Sequence, residues 1–224
     1  MKMKNQISQI SLILALAAAF ILLAVFPAAD LSIVNALQTM RNAPLDFIML
    51  AITSIGHWAV TSLFILVFFY AVRENRKNFL LVLGSFLLTF LIAVLLKFLI
   101  FKPRPFEVLG LEKSESFSGI VSGHTAAAFA PFVFLRGRFR IFWLLFALLV
   151  AFSRIYLAAH FLSDVILGAL IGYVSGLIFS NLKFLRVGRR AEEGSQRIKR
   201  IKEQKHGKRK RKGTNSWFYA SWGN

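Results

Sequence analysis

The stretch "IFWLLFALLVAFSRIYLAAHFLSDVILGALIGYVSGLIFSNLKF", Ile141 to Phe184, decides the fold. It holds two apolar runs, Ile141–Leu157 and Val165–Phe184, each near the 20 or so residues that a helix needs to cross a bilayer. Between them lies a polar seam, "SRIYLAAHFLSD" from Ser153 to Asp164, with an arginine, a histidine and an aspartate. Ionisable groups at the edge of hydrocarbon are costly, so their presence normally marks function. A short polar turn with snorkelling side chains is the competing explanation, and the rest of the chain has to decide between the two.

Outward from this stretch, the same pattern recurs. The chain of 224 residues is 57% hydrophobic, with 24 Phe and a mean hydropathy of +0.62. Further membrane-length runs are Ile10–Phe26, Phe47–Tyr70 and Phe79–Phe101, and a shorter one, Val121–Leu135, is read as a span because "SGH" and "RGRFR" flank it like opposite membrane faces. The expected fold is all-α: a polytopic bundle of six transmembrane helices over residues 1–185, followed by a disordered basic tail over 186–224.

The formal charge of +18 resembles a nucleic-acid signal until it is located. From Lys183 onward lie 14 of the 28 Lys and Arg residues, opposed only by Glu192, Glu193 and Glu203. Such a run fits a cytoplasmic tail near anionic headgroups, and without a reader module no nucleic-acid partner is expected. The closing "SWFYASWGN" could dip into the inner headgroup region or be disordered. Short-loop Lys and Arg at 2–4, 73–77 and 136–140 share one side, which is therefore cytoplasmic, as are both termini. The first span is read as uncleaved, because no clear small-x-small site follows it. Cysteine is absent, which excludes disulfides and thiolate metal sites.

Three segments then fall on the outer face. In "KFLIFKPRP", Lys97 and Arg104 are seven residues apart, about two helical turns, and point roughly the same way. In "VSGHTAAAF", Ser122, Gly123 and His124 precede a small-residue helix whose N-terminus offers free N–H groups to an anion. In the polar seam, His160 and Asp164 stand at i and i+4 while Arg154 closes the preceding span. Singly, a terminal lysine snorkels, Ser-Gly caps a helix, and a His–Asp pair satisfies itself. Together, three cations, two histidines, a carboxylate and a helix N-terminus suit a phosphate held by Lys97, Arg104 and Arg154. The outer acids Glu107, Glu112 and Glu115 are scattered, and Asp30 and Asp46 stand singly, so no metal site and no cofactor are expected. Metal-free phosphoryl transfer then needs a nitrogen nucleophile and cationic neutralisation. His160, oriented by Asp164, can attack phosphorus, and His124 can protonate the leaving oxygen. His57 is read as a helix-packing histidine within the second span, and Trp58 and Trp143 as ordinary interface aromatics.

These residues resemble the type 2 phosphatidic acid phosphatase family, whose membrane members dephosphorylate lipid phosphates and diphosphates. Its motifs K-x6-R-P, P-S-G-H and S-R-x5-H-x3-D appear as Lys97–Arg104–Pro105, Ser122–Gly123–His124, and Ser153–Arg154 with His160 and Asp164. Val121 stands where the family usually has proline, a residue that shapes the entry turn. The resemblance covers about Leu45 to Phe179, and implies that His124 protonates the leaving group while His160 is the nucleophile. It implies a lipid-phosphate partner in the cell membrane: a polyprenyl diphosphate such as undecaprenyl diphosphate first, phosphatidic acid or phosphatidylglycerol phosphate second. A non-catalytic anionic-lipid binder or transporter is the reading from another class, and it would have no need of both histidines.

Overall fold

The computed structural model of the chain describes residues 2–57, 61, 79–111 and 118–182, and all regular structure among them is helical. Helix α1, Lys2–Val25, runs into α2, Pro27–Gln38, through a 93° bend. Pro27 opens α2, where its missing N–H costs nothing. Helix α3, Ala43–Ile55, begins at Asn42, whose side chain accepts the Leu45 N–H at 3.0 Å. Then follow α4, Phe79–Leu99, the single turn α5, Pro105–Val108, and α6, Gly123–Phe129. A 3₁₀ turn at Phe132–Phe134 leads to α7, Gly137–Tyr156, and the last described helix is α8, Leu162–Leu182.

Among the described residues, α4, α7 and α8 are long and apolar enough to cross a membrane, and the bent α1–α2 pair makes a fourth candidate. Their outward faces carry large apolar side chains: Leu80, Leu91 and Phe98 on α4 and Phe142 on α7 are 64–71% exposed. In water such faces would associate or aggregate; against lipid they need no partner. The hydroxyls inside α4 bond to its own backbone, Ser85 to the Val82 carbonyl and Thr89 to the Ser85 carbonyl, both at 2.7 Å. This is a membrane protein. The expected span over Phe47–Tyr70 is described as helix only to Ile55, with Thr61 beyond; residues 58–60 and 62–78, like the tail from 183, lie outside the described residues.

The expected span over Val121–Leu135 is corrected in form. It is a seven-residue helix, then Pro131, then a 3₁₀ turn, because the proline cannot continue the helix. What holds this broken segment is a glycine stripe on α8. A Cβ added at Gly168, Gly172 or Gly176 would lie 2.6, 2.1 or 2.4 Å from the carbonyl oxygens of Ser122, Ala126 and Ala130 respectively. Both series advance by four residues in the same direction, so the two segments run parallel, backbone against backbone, as small-residue membrane packing allows. Trp143 is more than an interface aromatic: its indole N–H donates to the Ala128 carbonyl at 2.7 Å and pins α7 to α6.

On the other side, Val34 of α2 packs with Ala151, Ile155, Ala158, Phe161 and Val165 from α7, α8 and the turn between them. The Gln38 amide donates to the Tyr156 carbonyl at 2.9 Å, and the Tyr156 hydroxyl donates to Asp46 at 2.8 Å, beside the Arg41–Asp46 ion pair. The bent N-terminal pair therefore buttresses the polar seam.

Candidate active site

The site forms where α4 and α7 end and α6 and α8 begin. Lys97, in the last turn of α4, donates to the Ser118 carbonyl at 2.8 Å. The chain then runs extended beside residues 118–119: Lys102 N–H donates to Ser118 Oγ at 3.0 Å and Gly119 N–H to the Lys102 carbonyl at 2.8 Å. Arg104 opens α5, where the Glu107 carboxylate accepts its N–H at 2.9 Å. Glu107 is thus occupied as a cap, and burial holds the Arg104 guanidinium below its ordinary pKa. Phe106 N–H donates to the Ala158 carbonyl at 3.0 Å, joining the first motif to the seam.

The second motif folds as its composition dictates. Ser122 Oγ caps α6 by accepting the Thr125 N–H at 3.3 Å, and Ser122 N–H donates to the Asp164 carbonyl at 3.1 Å. Val121, in the family's proline position, is fully buried. A Cβ at Gly123 would meet nothing within 4 Å, so the helix start faces open space.

The seam turns on one backbone feature. Ala158 has φ 53°, a left-handed conformation that costs an L-residue about 1–2 kcal/mol. It lets the Ala159 and His160 N–H groups both reach back to the Arg154 carbonyl, at 3.0 and 3.1 Å. His160 is thereby folded into the interior, 2% exposed, with Nδ1 3.0 Å from the Gly119 carbonyl. A carbonyl only accepts, so Nδ1 carries the proton and Nε2 keeps the lone pair. Burial holds the His160 pKa well below the ordinary histidine range, and Arg154, Arg104 and Lys97 depress it further. The ring is neutral at neutral pH.

Asp164 does not bond the His160 ring directly, as an orienting carboxylate was expected to. Its Oδ2 accepts the Phe161 N–H at 2.9 Å and its Oδ1 takes Lys102 Nζ at 2.6 Å, while the Gly119 carbonyl orients His160. The i, i+4 spacing implied one helix face, but His160 lies before α8 begins, in the turn.

Arg154 Nη1 donates to Thr53 Oγ1 at 2.6 Å, and its Nε is buried with no partner among the described residues. A buried guanidinium N–H calls for an acceptor, which a bound water or an anion can supply. Both histidines feel the same three cations, Lys97, Arg104 and Arg154. His57 lies just past the end of α3, and its ring stands edge-on to His124, centroids 5.1 Å apart. Beneath Lys97 and Gly123 opens a cavity of about 420 Å³ whose walls, including Phe86, Phe90, Val94 and Ala127, are almost wholly apolar. Among the described residues no group of three or more His, Cys, Asp or Glu gathers as metal ligands would.

The expected residues Lys97, Arg104, Ser122, Gly123, His124, Arg154, His160 and Asp164 all belong to this one region. Sequence reasoning missed Lys102, Asp30, Thr53, Gly119 and the approach of His57. Lys102 alone had a signal, its place between two first-motif residues. The others act through backbone groups or through contacts between distant segments, which no local pattern records.

Comparison with known proteins agrees with this geometry. The PAP2 superfamily model matches residues 78–187. The chain is 29% identical over 160 residues to the lipid A 4'-phosphatase of Porphyromonas gingivalis, an alignment that takes in 62% of this chain and 66% of that protein, just under two thirds of its length. It is 28% identical over 145 residues to the undecaprenyl-diphosphatase BcrC of Bacillus subtilis, covering 62% of this chain and 75% of that one. Among solved structures, the PAP2-type phosphatidylglycerolphosphate phosphatase of Bacillus subtilis superposes with a TM-score of 0.62 at 28% identity, over 79% of this chain and 94% of that one. LpxE of Aquifex aeolicus superposes with a TM-score of 0.57 at 26% identity, over 67% and 94%. Residues 78–187, which hold all eight of the expected site residues, match the PAP2 superfamily.

Proposed function

We propose that this protein is a lipid-phosphate phosphatase of the cell membrane that hydrolyses a polyprenyl diphosphate, of the undecaprenyl diphosphate type, through a phosphohistidine. The observation that carries the reading is the neutral, buried His160, turned by Gly119 toward a phosphate site built from Lys97, Arg104 and Arg154, above an apolar cavity. His160 Nε2 attacks phosphorus, the bond from phosphorus to the leaving oxygen breaks, and His124, protonated once the bound phosphate offsets the three cations, gives that oxygen its proton. Water then attacks the phosphohistidine, His124 takes the water's proton, and inorganic phosphate leaves with His160 restored. The three cations and the Ser122–Gly123 helix start hold the charge that develops on the phosphoryl oxygens. The scattered acids support a reaction without metal or cofactor.

Phosphatidic acid or phosphatidylglycerol phosphate is the second reading, favoured by the superposition on a phosphatidylglycerolphosphate phosphatase. In both readings six spans place the two termini in the cytoplasm and the site on the outer face, with the tail over 186–224 against anionic headgroups. The parallel run of α6 and α8 supports a single return crossing, by α7, between them.

Phosphate release by the purified chain from a panel of lipid phosphates and diphosphates, in excess EDTA, tests the chemistry. Activity lost to the chelator and restored by magnesium would overturn it. The chain has no native cysteine, so Val108→Cys and Ser195→Cys test the topology. The two should label from opposite sides of intact cells, Val108→Cys from outside.

A further inference from the structure

Lys102 lies inside the first motif, yet the phosphate chemistry gives it no work. Its Nζ donates to Asp164 Oδ1 at 2.6 Å and to Ser163 Oγ at 2.8 Å, and lies 3.9 Å from Asp30 Oδ2. It also sits 4.6 Å above the centroid of the Phe161 ring. Asp30 comes from α2 at the far end of the sequence and is 3% exposed. Its Oδ1 accepts the Ser163 N–H at 3.2 Å, and its Oδ2 accepts the Ser163 hydroxyl. The Lys102 main chain completes the arrangement: its carbonyl accepts the Gly119 N–H at 2.8 Å, and the Gly119 carbonyl faces His160 Nδ1 at 3.0 Å.

His160 is therefore held from two directions by groups that Lys102 anchors. On one side stands the 118–119 segment, bonded to the Lys102 backbone. On the other is the start of α8, where Asp164 takes the N–H of Phe161, the residue after His160, and Lys102 Nζ together. We infer that Lys102 and Asp30 are positioning residues for His160, a clasp that ties α2, the first motif and the third motif into one rigid seat for the nucleophile. The inference rests on the phosphatase reading above.

The physical reason is that two buried carboxylates, Asp30 and Asp164, share one ammonium. Removing one partner of a buried ionic group leaves the others uncompensated, and they rearrange or take up water. A seat that shifts by about 1 Å can slow an in-line attack as much as 10²-fold. The substrate cations Lys97, Arg104 and Arg154 have other partners, Ser118 for Lys97, Glu107 at the backbone of Arg104, and Thr53 for Arg154, so binding outlasts the clasp.

The test uses the full chain in detergent, with p-nitrophenyl phosphate and one lipid phosphate, and a thermal unfolding midpoint for every variant. Lys102→Met should lower kcat about 10- to 100-fold with KM changed less than about threefold. Lys102→Arg should recover part of that loss. Adding Asp30→Asn to Lys102→Met should raise kcat at least about threefold over Lys102→Met alone, because it removes one of the two carboxylates left without a cation. If Lys102→Met does not fold, Lys102→Arg and Asp30→Asn singly carry the test through the same fall in kcat at constant KM. A wild-type kcat in Lys102→Met overturns the inference, as does a raised KM with kcat intact, which would make Lys102 a phosphate ligand. His160→Ala separates the two levels. If it is inactive while Lys102→Met is normal, only the positioning role fails; if it is also active, the phosphatase reading itself falls.

Discussion

The Gly119 carbonyl oxygen lies 3.0 Å from His160 Nδ1, and this contact fixes which nitrogen of the imidazole is free to react. A backbone acceptor cannot ionise, so the tautomer it selects does not change with pH, unlike one selected by a carboxylate. Nε2 is left with the free lone pair, in a setting where three cations disfavour its protonation.

The two histidines should therefore separate by leaving group. His160→Ala removes the covalent route and should cost several orders of magnitude on every substrate. General acid catalysis is worth about 10²–10⁴-fold, and most where the leaving oxygen is poor. His124→Ala should thus keep more relative activity on p-nitrophenyl phosphate than on phosphatidic acid, whose alkoxide needs the proton. Rapid-quench trapping of a phosphohistidine in the wild type, absent from His160→Ala, gives the direct readout. Equal losses for His124→Ala on both substrates would remove it from the acid role.

The burial of His160 also has a pH signature. An exposed histidine titrates near 6.5, and burial with three neighbouring cations puts His160 well below that. Nucleophilic activity should persist below about pH 6 as far as this group decides it, with the acid limb of kcat/KM displaced downward. For stability the sign is as follows. Below about 6.5 the unfolded chain binds a proton at this histidine that the folded chain refuses, so stability present above that pH is progressively lost as pH falls toward the folded pKa. His160→Asn should flatten that part of the stability profile; an unchanged slope would assign it to other groups.

The cavity under Lys97 predicts a split between substrates. Val94→Trp places a large ring in a space of about 420 Å³ that p-nitrophenyl phosphate does not need and a lipid tail does. KM for a long-chain lipid phosphate should rise about tenfold or more, the loss of one well-buried apolar contact being worth about 1.5–3 kcal/mol. Turnover of p-nitrophenyl phosphate should change little. Equal effects on both would mean that the tail lies elsewhere.

The glycine stripe on α8 should be intolerant in proportion to its contacts. A Cβ at position 172 would lie 2.1 Å from the Ala126 carbonyl oxygen, which is backbone and cannot turn away. Gly172→Ala should destabilise the fold by about 1–3 kcal/mol, the usual cost of overpacking. Gly123→Ala meets nothing within 4 Å and should unfold like the wild type, whatever it does to turnover. Thermal unfolding in one detergent compares the two.

Composition and order along the chain determined much by themselves. Apolar runs of membrane length have few ways to satisfy their backbone other than helices, so the all-helical class and the extents of α4, α7 and α8 were legible. The cations and imidazoles of the candidate site could be picked out too, because phosphate chemistry would need them and they stand out at the ends of apolar runs. What only the tertiary structure decided are the relations between them. Pro131 breaks α6 and the Gly168–Gly172–Gly176 stripe holds it against α8 all the same, a backbone-to-backbone contact invisible to hydropathy. Ala158 takes a left-handed turn, which moves His160 off the face that its spacing to Asp164 implied and sets it against Gly119. Asp164 is drawn instead to Lys102, and Asp30 reaches the same cluster from α2. Ion pairs between segments scores of residues apart depend on how the helices pack, and periodicity records only which face of each helix is apolar.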